Sequence, residues 1–330
     1  AREKGAKGLV LDLSTNGGGS LEDAVRIAGL FFKTGNVVKQ SSRDAGGPAM
    51  TLADRDSAVD WNGPLVVLTS RLSASASEIV AGTLKDYSRA VVVGADHTFG
   101  KGSVQSVQEL PPGLGAVKTT VGWFFTPSGY STQWRGVDSD IVFPSAFARD
   151  DVGEKGLDYS LKPQKMEEFR SKEARVKEGP DAWAEVSKGE LQTLKTRSTG
   201  RIAKNPEFKK IQDEIKKAKA RGKTIKLAES LKESKERKDE NDQKKNWTKE
   251  ERMKEYLNRA DVQESLNIAA DLFALQNRVP LNKVVIPPPT PTKVAAAAPN
   301  AKTGEAPGTP AANDVQGTIK REGEGGTATP

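Results

Sequence analysis

The chain reads GPLVVLT at residues 63–69 and SASASE at residues 73–78, and an apolar pattern with helical spacing follows from Ile79. A short, almost entirely apolar run is typical of a strand that is buried on both faces of a sheet. A strand that ends in a turn of small residues and continues as a helix is the repeating unit of α/β proteins. We therefore predict an α/β core in which the serine turn joins a buried strand to a helix.

Two similar units lie on either side of this one in the sequence. The run GLVLDL at residues 8–13 ends in STNGGG at residues 14–19, and a pattern with helical spacing follows it. The run AVVVG at residues 90–94 leads to FGKG at residues 99–102. The repeated order of strand and glycine turn supports the α/β class.

The composition changes twice along the 330 residues and predicts three regions. Residues 1–150 hold the apolar runs and glycine turns of a globular core. Residues 151–285 are rich in Lys, Glu, Arg and Asp, and their amphipathic stripes predict a mainly α-helical C-terminal domain. Residues 286–330 are rich in Pro, Ala, Thr and Gly, which bury too little apolar surface to offset chain entropy, so we predict a disordered tail.

The charge pattern argues against several classes of partner. The formal net charge is +7, and the basic residues of the middle region alternate with acidic ones. This mixture favours a solvated helical surface over a phosphate-binding stripe, so we expect no nucleic-acid partner. No run approaches the ~18 apolar residues of a membrane span. The chain has no cysteine, which excludes disulfides and thiolate metal sites, and we predict no metal and no cofactor.

The serine turn holds a candidate nucleophile, and a serine hydroxyl needs a base beside it. The chain has one histidine, so a lysine is the economical activator, and Lys101 lies between two glycines that allow it to sit inside the protein. A general-base lysine must be neutral, which desolvation favours. If residues 101–105 are extended, Gln105 shares a strand face with Lys101 and can orient its amine. Asp86 follows on the helix after the serine, where it either supports the site or caps the end of the helix.

Glycines 17–19 supply the second half of such a site, because glycine allows a backbone to approach a substrate closely. With Ser75 as the nucleophile, the backbone N–H of Ala76 is an oxyanion donor. Other interpretations remain open at this point. Ser75 and Glu78 also have the spacing of a helix-capping box, and the triple glycine is also a tight turn or, more weakly, a phosphate cradle.

His97 offers a different base for the same serine. A triad of Ser75, His97 and Asp86 is compatible with the composition, since geometry rather than residue type defines a triad. The histidine lies in the polar loop ADHT at residues 95–98, where exposure to solvent is the ordinary state.

Three motifs occur in an order that is typical of one protease family. They are LDLxxNGGG at residues 11–19, SASASEI at residues 73–79 and TFGKGSVQ at residues 98–105. Together they resemble the carboxyl-terminal processing proteases, in particular the tail-specific protease branch of bacterial periplasms. The resemblance continues to RIAKNPEF at residues 201–208, which is similar to the helical C-terminal domain of that branch.

The resemblance assigns roles to seven positions that match the motifs of the family. It implies a Ser-Lys dyad, with Ser75 as the nucleophile and Lys101 as the general base. Gln105 and Asp86 match the supporting positions. Backbone amides of Gly18 or Gly19 and of Ala76 would form the oxyanion hole. The resemblance also implies that the α/β region is part of a protease core of the crotonase and ClpP-like class.

The resemblance further implies a serine endopeptidase that processes or degrades cell-envelope proteins. Its substrates would be proteins recognised through unstructured C-termini, and its location would be periplasmic. Apart from the resemblance, we also expect an adaptor protein as a partner. The family also carries a PDZ module that captures substrates, and this sequence has no trace of one. We therefore expect the chain to be a C-terminal fragment of such a protease.

Two functions of other classes compete with this interpretation. The strand–turn–helix layout also resembles crotonase-type enzymes, in which backbone oxyanion holes bind acyl-CoA thioesters. Residues 151–277 alternatively form a basic helical scaffold that binds a protein partner or a nucleic acid, and the strong salt dependence of phosphate contacts distinguishes the latter.

Overall fold

The computed structural model describes residues 2–42, 49–149, 151–221 and 245–283, together with isolated positions between residues 227 and 242. Within these residues the chain forms two four-stranded sheets and six α-helices. The predicted mixed α/β class is therefore confirmed.

The regular elements are named here in chain order. The strands are β1 (Leu9–Asp12), β2 (Gly35–Ser42), β3 (Met50–Asp54), β4 (Leu65–Thr69), β5 (Val91–Gly94), β6 (Ser103–Glu109), β7 (Ala116–Phe125) and β8 (Ile141–Val142). The α-helices are α1 (Leu21–Gly29), α2 (Ala76–Asp86), α3 (Lys188–Lys204), α4 (Pro206–Arg221), α5 (Lys249–Asn258) and α6 (Ala260–Gln276).

The first sheet is parallel and contains the three apolar strands that the sequence predicts. Its order is β1-β4-β5-β8, and each neighbouring pair runs parallel. Every residue of β4 and β5 is buried. Burial on both faces explains why these strands are continuous apolar runs without polar alternation.

The second sheet is antiparallel, with the order β3-β2-β7-β6. The sequence predicts only one of its strands, at residues 117–125, because most of the others lack a regular apolar alternation. Strands β3 and β6 form the edges of this sheet among the described strands.

Helices α1 and α2 cover one face of the parallel sheet and also contact the antiparallel sheet. Ala28 of α1, Ile79 of α2 and Val67 of β4 are buried in one apolar cluster, which also includes Phe124 of β7. This packing fixes the start of α2, and with it the serine turn, against the core.

Helices α3 and α6 cover the opposite face of the parallel sheet. Side chains alternate between the two faces of a strand, so Val66 of β4 and Val93 of β5 point away from α2. They pack in one apolar cluster with Leu194 of α3 and with Ile268 and Leu272 of α6. The region predicted as a separate helical domain therefore supplies half of the core around this sheet.

Ala1–Pro291 form one compact unit, and the domain boundary at residue 150 stays a prediction. Residues 151–187 also contain no α-helix among those described, although the prediction was mainly helical. Ala174 and Trp183 of this segment are buried in the core instead. The tail predicted to be disordered, residues 286–330, lies outside the described residues.

The sequence contains no apolar run of the length of a membrane span, and the helices can be compared with this. In the part of the chain that the structure describes, no helix is long and apolar enough to cross a bilayer.

Candidate active site

Ser75 stands at the junction of strand β4 and helix α2 in an unusual backbone conformation. Its φ is 55° and its ψ is −115°, whereas an ordinary helix N-cap is extended. A positive φ is uncommon for a residue with a side chain, and such strain is concentrated at functional sites. Ser75 is half-buried, in contrast to its two neighbouring serines.

Ser73 and Ser77 are structural. The Ser73 hydroxyl donates to the Leu13 carbonyl at 2.7 Å, and the Ser77 hydroxyl donates to the Asn16 carbonyl at 2.9 Å. Both serines are buried. They attach the serine turn to the chain that leaves β1, so Ser75 is the candidate nucleophile of the three.

Glu78 connects the serine turn to the segment that carries Lys101. Its Oε2 accepts hydrogen bonds from the backbone N–H of Ser75 at 2.8 Å and from that of Lys101 at 2.9 Å. Its Oε1 accepts from the Gly100 N–H at 2.7 Å and from the Thr98 hydroxyl. One carboxylate oxygen thus lies between the backbone nitrogens of the candidate nucleophile and the candidate base.

Burial raises the pKa of Glu78 to about 7, although the four hydrogen bonds that it accepts act in the opposite direction. Its side chain is completely inaccessible to solvent. A buried ionised carboxylate is tolerated only where donors surround it, and this arrangement provides them. The capping-box interpretation of the sequence is correct for the contact between Glu78 and Ser75, but it misses the contacts with residues 98–101.

The glycine turn lies directly against Ser75. Gly18 has a φ of 108°, and a Cβ added there would be 2.8 Å from both the Ala74 carbonyl oxygen and the Ser75 Cβ. The Asn16 carbonyl accepts the Ala74 N–H at 3.2 Å. Only a glycine fits this close approach, and the structure therefore brings the two predicted halves of the site together.

The candidate oxyanion donors differ in their availability. The Gly18 N–H already donates to Asn16 Oδ1 at 2.8 Å. Ala76 is the first residue of α2, whose first N–H groups have no acceptor within the helix. Of the two glycines that the sequence offers, Gly19 is therefore the better partner for Ala76.

Lys101 is half-buried and lies in an irregular segment before β6. A Cβ at Gly102 would be 2.3 Å from the Ser131 Oγ and 2.5 Å from the Gln133 nitrogen, so glycine is required beside the lysine. The Gly102 N–H donates to Oε1 of the fully buried Gln133 at 2.9 Å. Among the described residues, no ion pair involves the Lys101 side chain.

Gln105 lies in strand β6, whereas Lys101 lies before it. Strand β6 begins at Ser103, and its pairing with β7 is irregular between Val104 and Gln105. Lys101 precedes the strand, so the alternation of β6 does not by itself relate its side chain to that of Gln105, and the shared face stays a prediction. Gln105 is exposed, and its side chain has no recorded contact with Lys101.

Asp86 lies far from the candidate nucleophile Ser75. It is the last residue of α2, and Ser75 precedes the first, so the two are about 16 Å apart along the helix axis. Its Oδ2 accepts the Ser128 N–H at 2.9 Å, and burial raises its pKa. This contact joins the end of α2 to the turn after β7, and it is neither a cap of the helix nor a contact with Ser75.

His97 lies in the loop after β5, where its ring nitrogens contact the neighbouring residues Thr98 and Asp96. Its Nδ1 is 2.6 Å from the Thr98 carbonyl oxygen, and its Nε2 is 3.8 Å from Asp96. Asp96 is held more closely by Arg71, which donates to both of its carboxylate oxygens. The structure therefore gives a triad of Ser75, His97 and Asp86 no common location.

Sequence reasoning missed the residues that hold the Lys101 segment in place. Gln133 and Thr132 contact Gly102 and the Lys101 carbonyl, and Thr98 contacts Glu78. The sequence carries no signal for the first two, because they lie about 30 positions from the lysine. Among the described residues, no group of three or more His, Cys, Asp or Glu side chains is arranged to hold a metal ion.

Comparisons with known proteins place these features in context. The model of peptidase family S41 matches residues 1–143. A tail-specific protease of Haemophilus influenzae is 35% identical over 218 residues, which cover 64% of this chain and 30% of that protein. A carboxy-terminal-processing protease of Bartonella bacilliformis is 41% identical over 136 residues, which cover 41% of this chain and 31% of that protein.

Among solved structures, a photosystem II D1 C-terminal processing protease matches with a TM-score of 0.40 and 34% identity, over 48% of this chain and 41% of that one. The chain spans about 30% of the length of the curated relatives that it matches.

Proposed function

We propose that the chain carries the catalytic part of a serine endopeptidase with a Ser-Lys dyad, and the match of residues 1–143 to the model of peptidase family S41 supports this. The main support is the contact of one Glu78 oxygen with the backbone N–H groups of both Ser75 and Lys101. The strained backbone of Ser75 adds to it. Both features are expected where a nucleophile and a base must be held in a fixed relation.

The reaction uses Ser75 as the nucleophile and the neutral amine of Lys101 as the general base. The amine takes the hydroxyl proton as the serine oxygen attacks a peptide carbonyl carbon. The resulting lysine ammonium donates this proton to the leaving amine when the peptide C–N bond breaks. Water then hydrolyses the acyl-enzyme, with the lysine amine accepting a proton from the water and returning it to Ser75.

The oxyanion of the tetrahedral intermediate is held by the backbone N–H groups of Ala76 and Gly19. A donor of this kind is worth ~2.7–4 kcal/mol in comparable sites. Gly18 supports the hole by its close packing against Ser75 and leaves its own N–H on Asn16. The parallel sheet with these turns at its carboxyl ends supports assignment to the crotonase and ClpP-like class.

The substrate binds in an extended conformation that adds a strand to a sheet edge. Strand β6 is an edge strand among the described strands, and it begins two residues after Lys101. Its unpaired edge therefore starts beside the candidate site and is available to a substrate strand. The names of the relatives, tail-specific and carboxy-terminal-processing protease, support proteins with unstructured C-termini as substrates. We propose cell-envelope proteins in a periplasmic setting, with an adaptor protein as a further partner.

The test compares four variants of the full-length protein on an unfolded substrate with a free C-terminus. We expect Ser75→Ala and Lys101→Ala to abolish turnover, and Ser75→Ala also to abolish labelling by a fluorophosphonate. Ser77→Ala and His97→Ala are the controls and should retain most of the activity.

Two outcomes would contradict the proposal. Loss of turnover in His97→Ala but not in Lys101→Ala would replace the dyad by a triad. Binding of coenzyme A by a protein whose Ser75 is never labelled would favour a crotonase-type acyl-CoA enzyme.

A further inference from the structure

Two residues of the C-terminal helical region contact the base of the glycine turn. Tyr256 of α5 and Arg259, which joins α5 to α6, both reach the end of β1. The glycine turn begins a few residues beyond that strand end, so the contact connects the C-terminal helices to the candidate oxyanion hole.

The contacts are hydrogen bonds and an ion pair that are partly buried. The Tyr256 hydroxyl donates to Asp12 Oδ2 at 2.9 Å. Arg259, which is held by Asp261 at 2.6 and 3.1 Å, lies 3.7 Å from the same Asp12 oxygen. Arg259 also donates to the Ser14 hydroxyl at 3.2 Å. The Asp12 side chain is 14% exposed. Burial and the neighbouring Asp12 charge raise the pKa of Tyr256 to about 12, so its hydroxyl remains a donor at neutral pH.

Asp12 and Ser14 in turn organise the chain between β1 and the glycines. Asp12 Oδ1 accepts the Ser14 N–H at 2.8 Å, and the Ser14 carbonyl accepts the Ser70 hydroxyl. The neighbouring Leu13 carbonyl accepts the hydroxyl of Ser73 and also the Asn16 N–H. Tyr256 and Arg259 thus contact the segment of residues 12–16, which also forms hydrogen bonds with the chain that leads into the serine turn.

These polar contacts are separate from the apolar packing that attaches α6 to the sheet. Ile268 and Leu272 of α6 are fully buried against β4 and β5. This packing can stabilise the fold without any contribution from the Tyr256 hydroxyl. A donor in an oxyanion hole, by contrast, must be held to within about half an ångström, which requires support from surrounding hydrogen bonds.

We propose that Tyr256 and Arg259 are positioning residues for peptide hydrolysis, which they support by holding Asp12 and Ser14 and thereby the glycine turn that supplies the Gly19 N–H. This assignment rests on the proposed function. It makes the C-terminal helical region part of the catalytic apparatus and not only a cover for the sheet.

The test measures kcat, KM, the rate of fluorophosphonate labelling of Ser75 and the melting temperature in the full-length protein. In Tyr256→Phe and in Arg259→Gln we expect kcat and the labelling rate to fall together by about tenfold, the equivalent of one hydrogen bond's contribution to positioning, while KM changes by less than about twofold. Tyr159→Phe removes a hydroxyl from a fully exposed tyrosine and should change nothing.

Ile268→Val is the control for stability. It should lower the melting temperature while kcat stays within about twofold of the wild-type value, because it shortens a side chain of α6 without touching the polar junction. Wild-type kcat and labelling in Tyr256→Phe and Arg259→Gln, or an equal loss in Ile268→Val, would overturn the positioning role while leaving the peptidase intact. A wild-type protein whose Ser75 is not labelled would overturn the proposed function, and this assignment with it.

Discussion

Glu78 shows how one buried side chain can connect segments that are distant in the sequence. Its two oxygens accept four hydrogen bonds, from Ser75 on its own helix turn and from Thr98, Gly100 and Lys101 on the next loop. Thr98 completes the connection, because its hydroxyl oxygen accepts the Val137 N–H at 2.8 Å. The relation between the candidate nucleophile and the candidate base therefore depends on a residue that need not touch the substrate.

The first prediction concerns Glu78→Gln. The amide of glutamine replaces an acceptor by a donor, so at least one buried N–H loses its partner, at a cost of about 1–3 kcal/mol in the free energy of unfolding at pH 8. We expect peptidase activity to fall by about tenfold or more, because the Ser75 and Lys101 backbones are no longer held together. Urea unfolding and a turnover assay measure the two effects.

Glu190→Gln is the matched control for this substitution. Glu190 occupies the same position in a capping box, with its Oε2 accepting the Ser187 N–H at 2.7 Å. It is only half-buried, and its hydrogen bonds among the described residues stay within this capping box. We expect a change within about 0.5 kcal/mol and normal activity. An equal effect of the two substitutions would show that Glu78 acts only as a helix cap.

The second prediction concerns pH. Burial raises the pKa of Glu78 from 4.5 to about 7 in the folded protein. The folded state then binds this proton more tightly than the unfolded chain, so this group makes the free energy of unfolding decrease as pH rises from 4.5 to 7, by at most about 3 kcal/mol. The stability of the wild type relative to Glu78→Gln should decline across this window. A constant difference from pH 4.5 to pH 8 would rule out this contribution.

At the scale of elements, the site is built where two strand ends of the parallel sheet lie side by side. Strands β1 and β4 are neighbours in register, so the glycine turn after β1 and the serine turn after β4 emerge at the same edge. Their contact is close enough that Gly18 has no room for a side chain. Adjacent parallel strands thus explain why two motifs about 60 residues apart in the sequence form one site.

The third prediction tests this contact with Gly18→Ala. The new Cβ would lie 2.8 Å from Ala74 O and Ser75 Cβ, and the φ of 108° is strained for alanine. We expect a loss of about 1–3 kcal/mol in the free energy of unfolding and at least about a tenfold loss of turnover, because the two turns must separate. Chemical unfolding and steady-state kinetics report the result.

The neighbouring Gly17→Ala provides the comparison. A Cβ at Gly17 meets nothing within 4 Å, so stability and turnover should stay close to the wild-type values. If the two alanine variants behave alike, close packing of the glycine turn on Ser75 is not required.

At the scale of the whole molecule, charged residues as well as apolar ones join the C-terminal helices. Arg201 of α3 donates to both oxygens of Glu264 and to Asp271 at 2.7 Å, and Arg197 also pairs with Asp271. The two carboxylates are 4% and 3% exposed. Buried carboxylates in this arrangement tie α3 to α6, and α6 lies on the parallel sheet.

The fourth prediction concerns Arg201→Ala. Removing the guanidinium leaves two buried carboxylates without their main partner, which should cost about 3–5 kcal/mol in the free energy of unfolding. Because residues 1–291 form one compact unit, helical circular dichroism and the fluorescence of the buried Trp61 and Trp183 should shift together. Separate transitions for the two signals would contradict this.

Arg26→Ala is the control for a charge pair on the surface. Arg26 and Glu22 are 73% and 76% exposed at their side chains, so their pairing contributes at most a few tenths of a kcal/mol. A loss comparable to that of Arg201→Ala would mean that burial does not determine the effect.

The sequence alone determined the class of the fold and the candidate chemistry. Continuous apolar runs identify β1, β4 and β5, and the two strands β4 and β5 are buried along their whole length, which leaves no place for polar alternation. The scarcity of histidine and the absence of cysteine leave lysine as the economical base for a serine. Amphipathic stripes in the charged region indicate its helices, but they do not say which sheet face those helices cover.

The tertiary structure alone decided which residues meet. Local spacing placed Gln105 on a face with Lys101, but Lys101 lies outside strand β6. It also left Asp86 as part of the site, but the 11 residues of α2 separate Asp86 from Ser75. The tertiary structure also distinguishes Ser75 from Ser73 and Ser77 by their hydrogen bonds. It shows that Glu78, Gln133 and Tyr256 contact segments that are distant in the sequence. Periodicity records which side of its own element a residue faces, whereas a site depends on distances between elements, and only the packed molecule sets those distances.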